Sequence, residues 1–224
     1  MKDIMGRLRG RPGSALRGFL VKTAVSLVLV AGATACTGPE RLSTIESVNT
    51  ADACDLMRYG GHHWEDALAD VRDRYNVDPA AVLAIMKRES SFRAQARPSR
   101  TYFLGVIPTG RRSSAYGYAQ AIDGTWDWYR TERARPGARR NRFADAADFI
   151  GWYMSKSRDI LGLSSNDLEE HYLAYHEGHG GYRKKSYKGK PWLLTVAKSV
   201  SRQARRFDRQ LGRCGHAALI SSRS

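Results

Sequence analysis

Asp78-Pro79-Ala80-Ala81-Val82-Leu83-Ala84-Ile85-Met86-Lys87-Arg88-Glu89-Ser90-Ser91-Phe92 is the stretch that decides the fold. Pro79 suits a first helical turn, where its missing N–H costs nothing, and Asp78 before it suits the cap. The apolar run from Ala81 to Met86 predicts a helix over 79–89 that passes through the core and leaves it at Glu89, where it meets a cleft. A carboxyl against apolar walls disfavours its charged form, which is what a general acid working near neutral pH needs. Lys87 and Arg88 act against this if close, but adjacent helical positions point elsewhere. A solvated glutamate at a helix end is the plain alternative, and on Glu89 alone it is the better one.

Outward from this helix the apolar spacing is helical almost throughout. Helices are predicted over Trp64 to Tyr75, Gly124 to Arg133, Ala144 to Leu161 and Asn166 to Glu177, and a last one carries Val196, Val200, Ala204, Phe207 and Leu211 on one stripe. Strand-like alternation is scarce; Thr101 to Thr109 reads as a short hairpin or an ordered loop. The expected fold is mainly α: one domain of packed helices with a small irregular or hairpin insertion, large enough for its own core.

Two later segments stand with Glu89-Ser90. They are Ser114-Ala115-Tyr116-Gly117-Tyr118-Ala119-Gln120 and Ala174-Tyr175-His176-Glu177-Gly178. This trio, in this order, resembles the lysozyme-like lytic transglycosylases that cut bacterial peptidoglycan, and the resemblance spans most of residues 64 to 213. It implies that Glu89 is the single catalytic acid and base, with Ser90 supporting it. The second segment is similar to the family's Gly-Leu-Met-Gln, with Gly117 and Gln120 matching and Tyr118 placed to stack on a sugar face. The third is similar to Ala-Tyr-Asn-Ala-Gly, which implies that the Tyr175 hydroxyl lies near Glu89 and that Gly178 turns the backbone at the cleft. Tyr153, in Gly151-Trp152-Tyr153-Met154, resembles a helical Tyr-Leu element of the same family. The chain departs from the pattern in a Glu89 to Gly117 gap of 28 residues, longer than the family's, and in His176 and Glu177 where the family has Asn and Ala. His176 faces substrate in that alignment and adds a second titrating group.

The resemblance implies cleavage between N-acetylmuramic acid and N-acetylglucosamine. Glu89 protonates the leaving oxygen, the substrate's N-acetyl group stabilises the positive carbon, and Glu89 then takes the C6 hydroxyl proton as a 1,6-anhydro ring closes. No metal or other cofactor is required. A hydrolytic muramidase usually needs a second carboxylate across the sugar, for which Asp123, Asp127 and Glu177 are the candidates. A noncatalytic peptidoglycan-binding scaffold is the alternative from another class, weighed down by retention of Glu89 and Tyr175. A zinc site at His176-Glu177-Gly178-His179 fails on spacing, since a zincin helix sets its histidines four apart.

The first 35 residues carry Lys2, Arg7, Arg9, Arg11, Arg17 and Lys22 ahead of an uncharged stretch, Thr23 to Ala35, of 13 residues. That is the pattern of an export signal, and it falls short of the roughly 20 residues that span a bilayer. Ala33-Thr34-Ala35 before Cys36 allows either plain cleavage or lipid attachment to Cys36, and the lipid is favoured. By resemblance to Gram-negative lipoproteins, Thr37 directs the chain to the outer membrane, facing the periplasm. Residues 36–50 then form anchor and tether, 51–215 the domain and 216–224 a tail. With Cys36 lipidated, Cys54 and Cys214 are left to pair in an oxidising compartment, closing a loop worth roughly 5 kcal/mol in the chain-entropy model; two buried free thiols are the alternative.

Net charge is +15, of which the leader's basic residues and Asp3 account for +5, so the remainder is strongly basic at +10. The excess gathers in Arg130 to Arg142 and Arg183 to Arg213. Such runs are usually solvated faces, and the functional reading is attraction to carboxylate-bearing peptidoglycan or lipid phosphates. No nucleic-acid module is recognisable, so no specific nucleic-acid partner is expected.

Overall fold

The computed structural model describes residues 44–104, 106–216 and Leu219. The stretch expected to be an export signal, Cys36, the start of the expected tether and most of the expected tail lie outside the described residues. Six helices follow in order: α1 (Ala53–Tyr75), α2 (Pro79–Ser90), α3 (Asp123–Glu132), α4 (Phe143–Leu161), α5 (Leu168–Arg183) and α6 (Pro191–Arg213). Between α2 and α3 a hairpin pairs β1 (Arg100–Phe103) with β2 (Ile107–Arg111), antiparallel, Arg100 opposite Arg111. The protein is thus a mainly α, lysozyme-like domain, and the ordered insertion is a hairpin.

α2 is the axis. Asp78 caps it by accepting from the Ala80 N–H at 2.8 Å, and every residue from Pro79 to Met86 is buried. α6 packs along it, with α1 and α4 on its other sides. Burial all round is what an apolar run without a polar face requires, at about 1.5–3 kcal/mol for each large aliphatic side chain taken from water. α6 buries Val200, Ala204, Phe207 and Leu211 of the expected stripe, with Leu193 and Ala197 beside them and Val196 only partly covered, and leaves its basic residues outward. Trp64 of α1 stacks on Phe143 of α4 with ring centroids 3.7 Å apart.

α1 starts eleven residues before Trp64, the expected start. Asp52 caps it, accepting from the Cys54 and Asp55 N–H groups, and the helix bends at Gly61. A disulfide joins Cys54 to Cys214, Cα atoms 5.9 Å apart, tying the start of α1 to the end of α6. Buried Gln210 reinforces the junction: its Oε1 accepts from the Ala53 N–H at 3.0 Å.

The stretch from Arg130 to Arg142 is a solvated face only in part. Arg135 reaches Asp145 and Asp148, Arg142 pairs with Asp145, Arg140 with Asp123 and Arg130 with Asp127. Asp145 and Asp148 are buried on α4. Arg135 and Arg140 fasten the α3–α4 connection to the helices, while Arg139 and Arg142 stay exposed. Among the described residues no helix is long and apolar enough to cross a membrane.

Candidate active site

Three segments converge around Glu89. α2 ends because Ser91 and Phe92 both adopt left-handed backbone, φ 50° and 61°. Phe92 then drops into the core against Trp64, ring centroids 5.7 Å apart. That turn leaves Glu89 in the last helical turn, its side chain half-buried and partly open to solvent, with protein packed around the carboxyl. Tyr172 of α5 donates its hydroxyl to Glu89 Oε1 at 2.9 Å. Loss of hydration raises the Glu89 pKa above the ordinary carboxylate range; the Tyr172 hydrogen bond and the nearby His176 and Arg88 oppose this without reversing it. The carboxyl is therefore biased toward the protonated form, aided by the burial that the apolar run around it dictates.

Burial first, then the Glu89 charge, drives the phenols of Tyr172 and Tyr175 upward, so both stay neutral donors. The Tyr175 hydroxyl donates to the Ala119 carbonyl at 2.6 Å, while its phenol feels the Glu89 charge. Tyr172, three residues earlier on the same helix, is the phenol that bonds the Glu89 carboxyl. Its position on the helical face of Tyr175 was the available signal. Tyr153 supports α5 from below, its hydroxyl on the Ala174 carbonyl at 3.3 Å and its ring stacked on His179 at 4.5 Å.

The loop from Ser114 to Ala121 forms another wall. Gly117 has φ 77°, its N–H donates to the Ala96 carbonyl at 3.0 Å, and a Cβ there would collide with the Arg140 carbonyl oxygen. Gln120 Nε2 bridges the Ala96 and Gly117 carbonyls at 2.9 and 2.8 Å, fastening this loop to the chain that follows α2. Both motif residues thus shape the wall. We expect Gly117→Ala to lose about 2–4 kcal/mol of stability from backbone strain and the collision, read as a fall in the urea midpoint. An unchanged midpoint would show that the Arg140 loop yields freely.

Two expected substrate contacts are placed differently. Tyr118 is buried with its ring edge-on to Trp64 and Phe143, and burial pushes its phenol up to about 12. A ring enclosed in that aromatic cluster has no free face for a sugar. Ser90 is also buried, its hydroxyl donating to the Met86 carbonyl one turn back at 3.2 Å, so it supports the helix end instead of reaching a ligand.

His176 remains partly open beside the site, with Nδ1 3.0 Å from Glu177 Oε1 and its ring edge-on to Trp192. Glu177 also accepts from Lys190 Nζ at 2.7 Å and from the Ser186 hydroxyl. Burial alone would raise the Glu177 pKa, but the Lys190, Ser186 and His176 bonds outweigh it and hold the carboxyl at about 2. Gly178, φ 72°, bends α5 after this residue, and His179 turns away to Tyr153 and to the Ser157 hydroxyl at 2.9 Å. The four-residue motif therefore splits to two sides of the helix, which disposes of it as a shared metal ligand set. Asp123 pairs with Arg140 and Asp127 with Arg130, both exposed on α3.

A carboxyl whose pKa is raised by burial at the end of a buried helix, with a phenol on one oxygen and a glycine-hinged wall beside it, defines a lysozyme-like site. The family model described as Transglycosylase SLT domain matches residues 23–214, and the chain belongs to that family. No curated protein and no solved structure matches it significantly. Family membership gives the protein a lytic-transglycosylase-like, peptidoglycan-acting function in the cell envelope.

Proposed function

We propose that the protein is a lytic transglycosylase that cleaves the bond from N-acetylmuramic acid to N-acetylglucosamine and leaves 1,6-anhydro ends, with Glu89 as its catalytic acid. The observation that carries this reading is the Glu89 carboxyl itself, with its pKa raised by burial and one oxygen bonded to Tyr172. It can deliver a proton to the glycosidic oxygen as the C1–O bond breaks, and Tyr172 steadies the carboxylate that results. The engagement of Asp123, Asp127 and Glu177 with arginine and lysine supports a one-carboxylate reaction over hydrolysis. Gly117, Gln120, Tyr153 and Tyr175 hold the cleft walls, and His176 meets substrate.

The proposal extends to placement. Residues 1–35 serve as signal peptide, Cys36 carries lipid, residues 36–50 tether the domain of 51–215, and the protein faces the periplasm from the outer membrane. The Cys54–Cys214 disulfide supports an oxidising compartment. Incubation of the protein with purified peptidoglycan, followed by mass spectrometry of released fragments, tests the reaction. Anhydro ends are expected. Fragments one water heavier with reducing ends would make the enzyme a muramidase, and retention on the wall without release would make the protein a binding scaffold.

A further inference from the structure

α5 places Tyr172 and His176 one turn apart, hence on one face, and the Tyr172 hydroxyl lies on Glu89. The His176 Nδ1 meets the Glu177 carboxylate, which is ionised at any working pH because Lys190 and Ser186 hold the same group. A carboxylate can only accept, so Nδ1 carries the hydrogen and Nε2 keeps its lone pair. Trp192, about half exposed at the start of α6, braces the ring edge-on. The result is an imidazole of fixed tautomer, oriented by a buried carboxylate, at the flank of the acid. The charged and titratable groups around it are Glu89 and Arg88 from α2, Tyr172 and Glu177 from α5, and Lys190 ahead of α6.

We propose that His176 is the second acid–base group of this site, so that the proton work that falls to one glutamate in the family mechanism is divided here between Glu89 and His176. The proposal rests on the reading of Glu89 as the acid. Glu89 gives its proton to the glycosidic oxygen, and the C1–O bond breaks with its electron pair on that oxygen. The C6 hydroxyl then attacks C1, and its proton passes to Nε2 of His176. The imidazolium returns that proton to the Glu89 carboxylate through solvent, so the site resets with no net uptake. Glu177, Lys190, Ser186 and Trp192 are positioning residues for the imidazole. The His-Glu pair that departs from the family's Asn-Ala is thereby one functional unit: the histidine that reacts and the carboxylate that aims it.

The test compares peptidoglycan turnover by wild type, Glu89→Gln, His176→Asn and His176→Gly over a range of pH, with thermal melts as controls for folding. For His176→Asn, which restores the family's residue, we expect a fall in kcat of about 100-fold and little change in KM. Free imidazole should return part of the rate to His176→Gly, a rescue that a merely structural role would not give. If His176→Asn does not fold, His176→Gln carries the same expectation. Turnover by a folded His176 variant within threefold of wild type, with the pH profile unchanged, overturns the proposal. So does a slow His176→Gly variant that imidazole leaves unmoved. Turnover by Glu89→Gln, or none by wild type, would instead sink the Glu89 reading and this one with it.

Discussion

Glu89→Gln is expected to lose glycan release by at least about 10³-fold while the protein remains folded. Removing a positioned general acid costs typically 10²–10⁴-fold, and Glu89 accepts from a neutral phenol at the end of a buried helix. Gln retains an oxygen that can accept from Tyr172, so the bond and the shape of the cleft survive. The expected change in stability has a definite sign. Glu89 has a higher pKa folded than unfolded, so between those values the folded state holds more protons and stability falls as pH rises through that window. At neutral pH the charged carboxyl is thus a burden on the fold, and the amide relieves it: the melting temperature of Glu89→Gln should equal or exceed that of wild type at pH 7 and converge on it in acid. The same raised pKa requires wild-type activity to decline as pH climbs past it, since only the protonated form can serve as acid. Fragment release by the variant at more than a tenth of the wild-type rate would remove Glu89 from the mechanism. Lost activity with a lowered melting temperature would point to damage to the fold.

How much of this was legible before the fold is best judged element by element. α2, its Asp78 cap and the placement of Glu89 were legible because an unbroken apolar run with a proline start has few other ways to fold. The α6 stripe was legible for the same reason, its period outweighing a heavily basic composition. The Tyr172 bond was not: Tyr172 and Tyr175 share a helix face, and which hydroxyl meets Glu89 depends on the rotation of α5 against α2, a tertiary quantity. The burial of Tyr118 likewise depends on Trp64 and Phe143, distant in sequence. Arg135 of the α3–α4 connection was misjudged because its partners, Asp145 and Asp148, look like surface residues of an amphipathic helix until α1 and α3 close over them.

That closed network sets the second large expectation: Asp148→Ala should destabilise the protein by about 3 kcal/mol and disturb the cleft wall. Asp148 is 3% exposed and gathers Arg74 and Tyr75 from α1, Tyr129 from α3 at 2.7 Å and Arg135 at 3.1 Å. Burial, then the Asp148 charge, raises the Tyr75 phenol to about 12, and the same causes drive the Tyr129 phenol upward, so both donate to the carboxylate. Alanine strands two buried hydroxyls and takes one partner from each of two guanidiniums, leaving Arg135 with Asp145 and Arg74 with Asp70 at 4.0 Å. Breaking a buried ion pair from one side costs roughly 3–5 kcal/mol; the lower end applies because both arginines are more than a third exposed and can recover some hydration. For a domain of this size about 3 kcal/mol corresponds to a melting temperature lower by about 10 °C. The damage should travel. Arg135 anchors the connection whose Arg140 carbonyl accepts from the Tyr118 N–H at 3.1 Å and presses against Gly117. A loosened connection therefore frees the loop whose Ala119 carbonyl holds Tyr175, and activity should be lost below the melting transition, not only with it. Asp148→Asn keeps acceptors for the phenols and should fall between Asp148→Ala and wild type in both readouts. An Asp148→Ala protein that melts within 2 °C of wild type and keeps full turnover would show that the arginines and tyrosines find other partners, and that the cleft wall stands without this anchor.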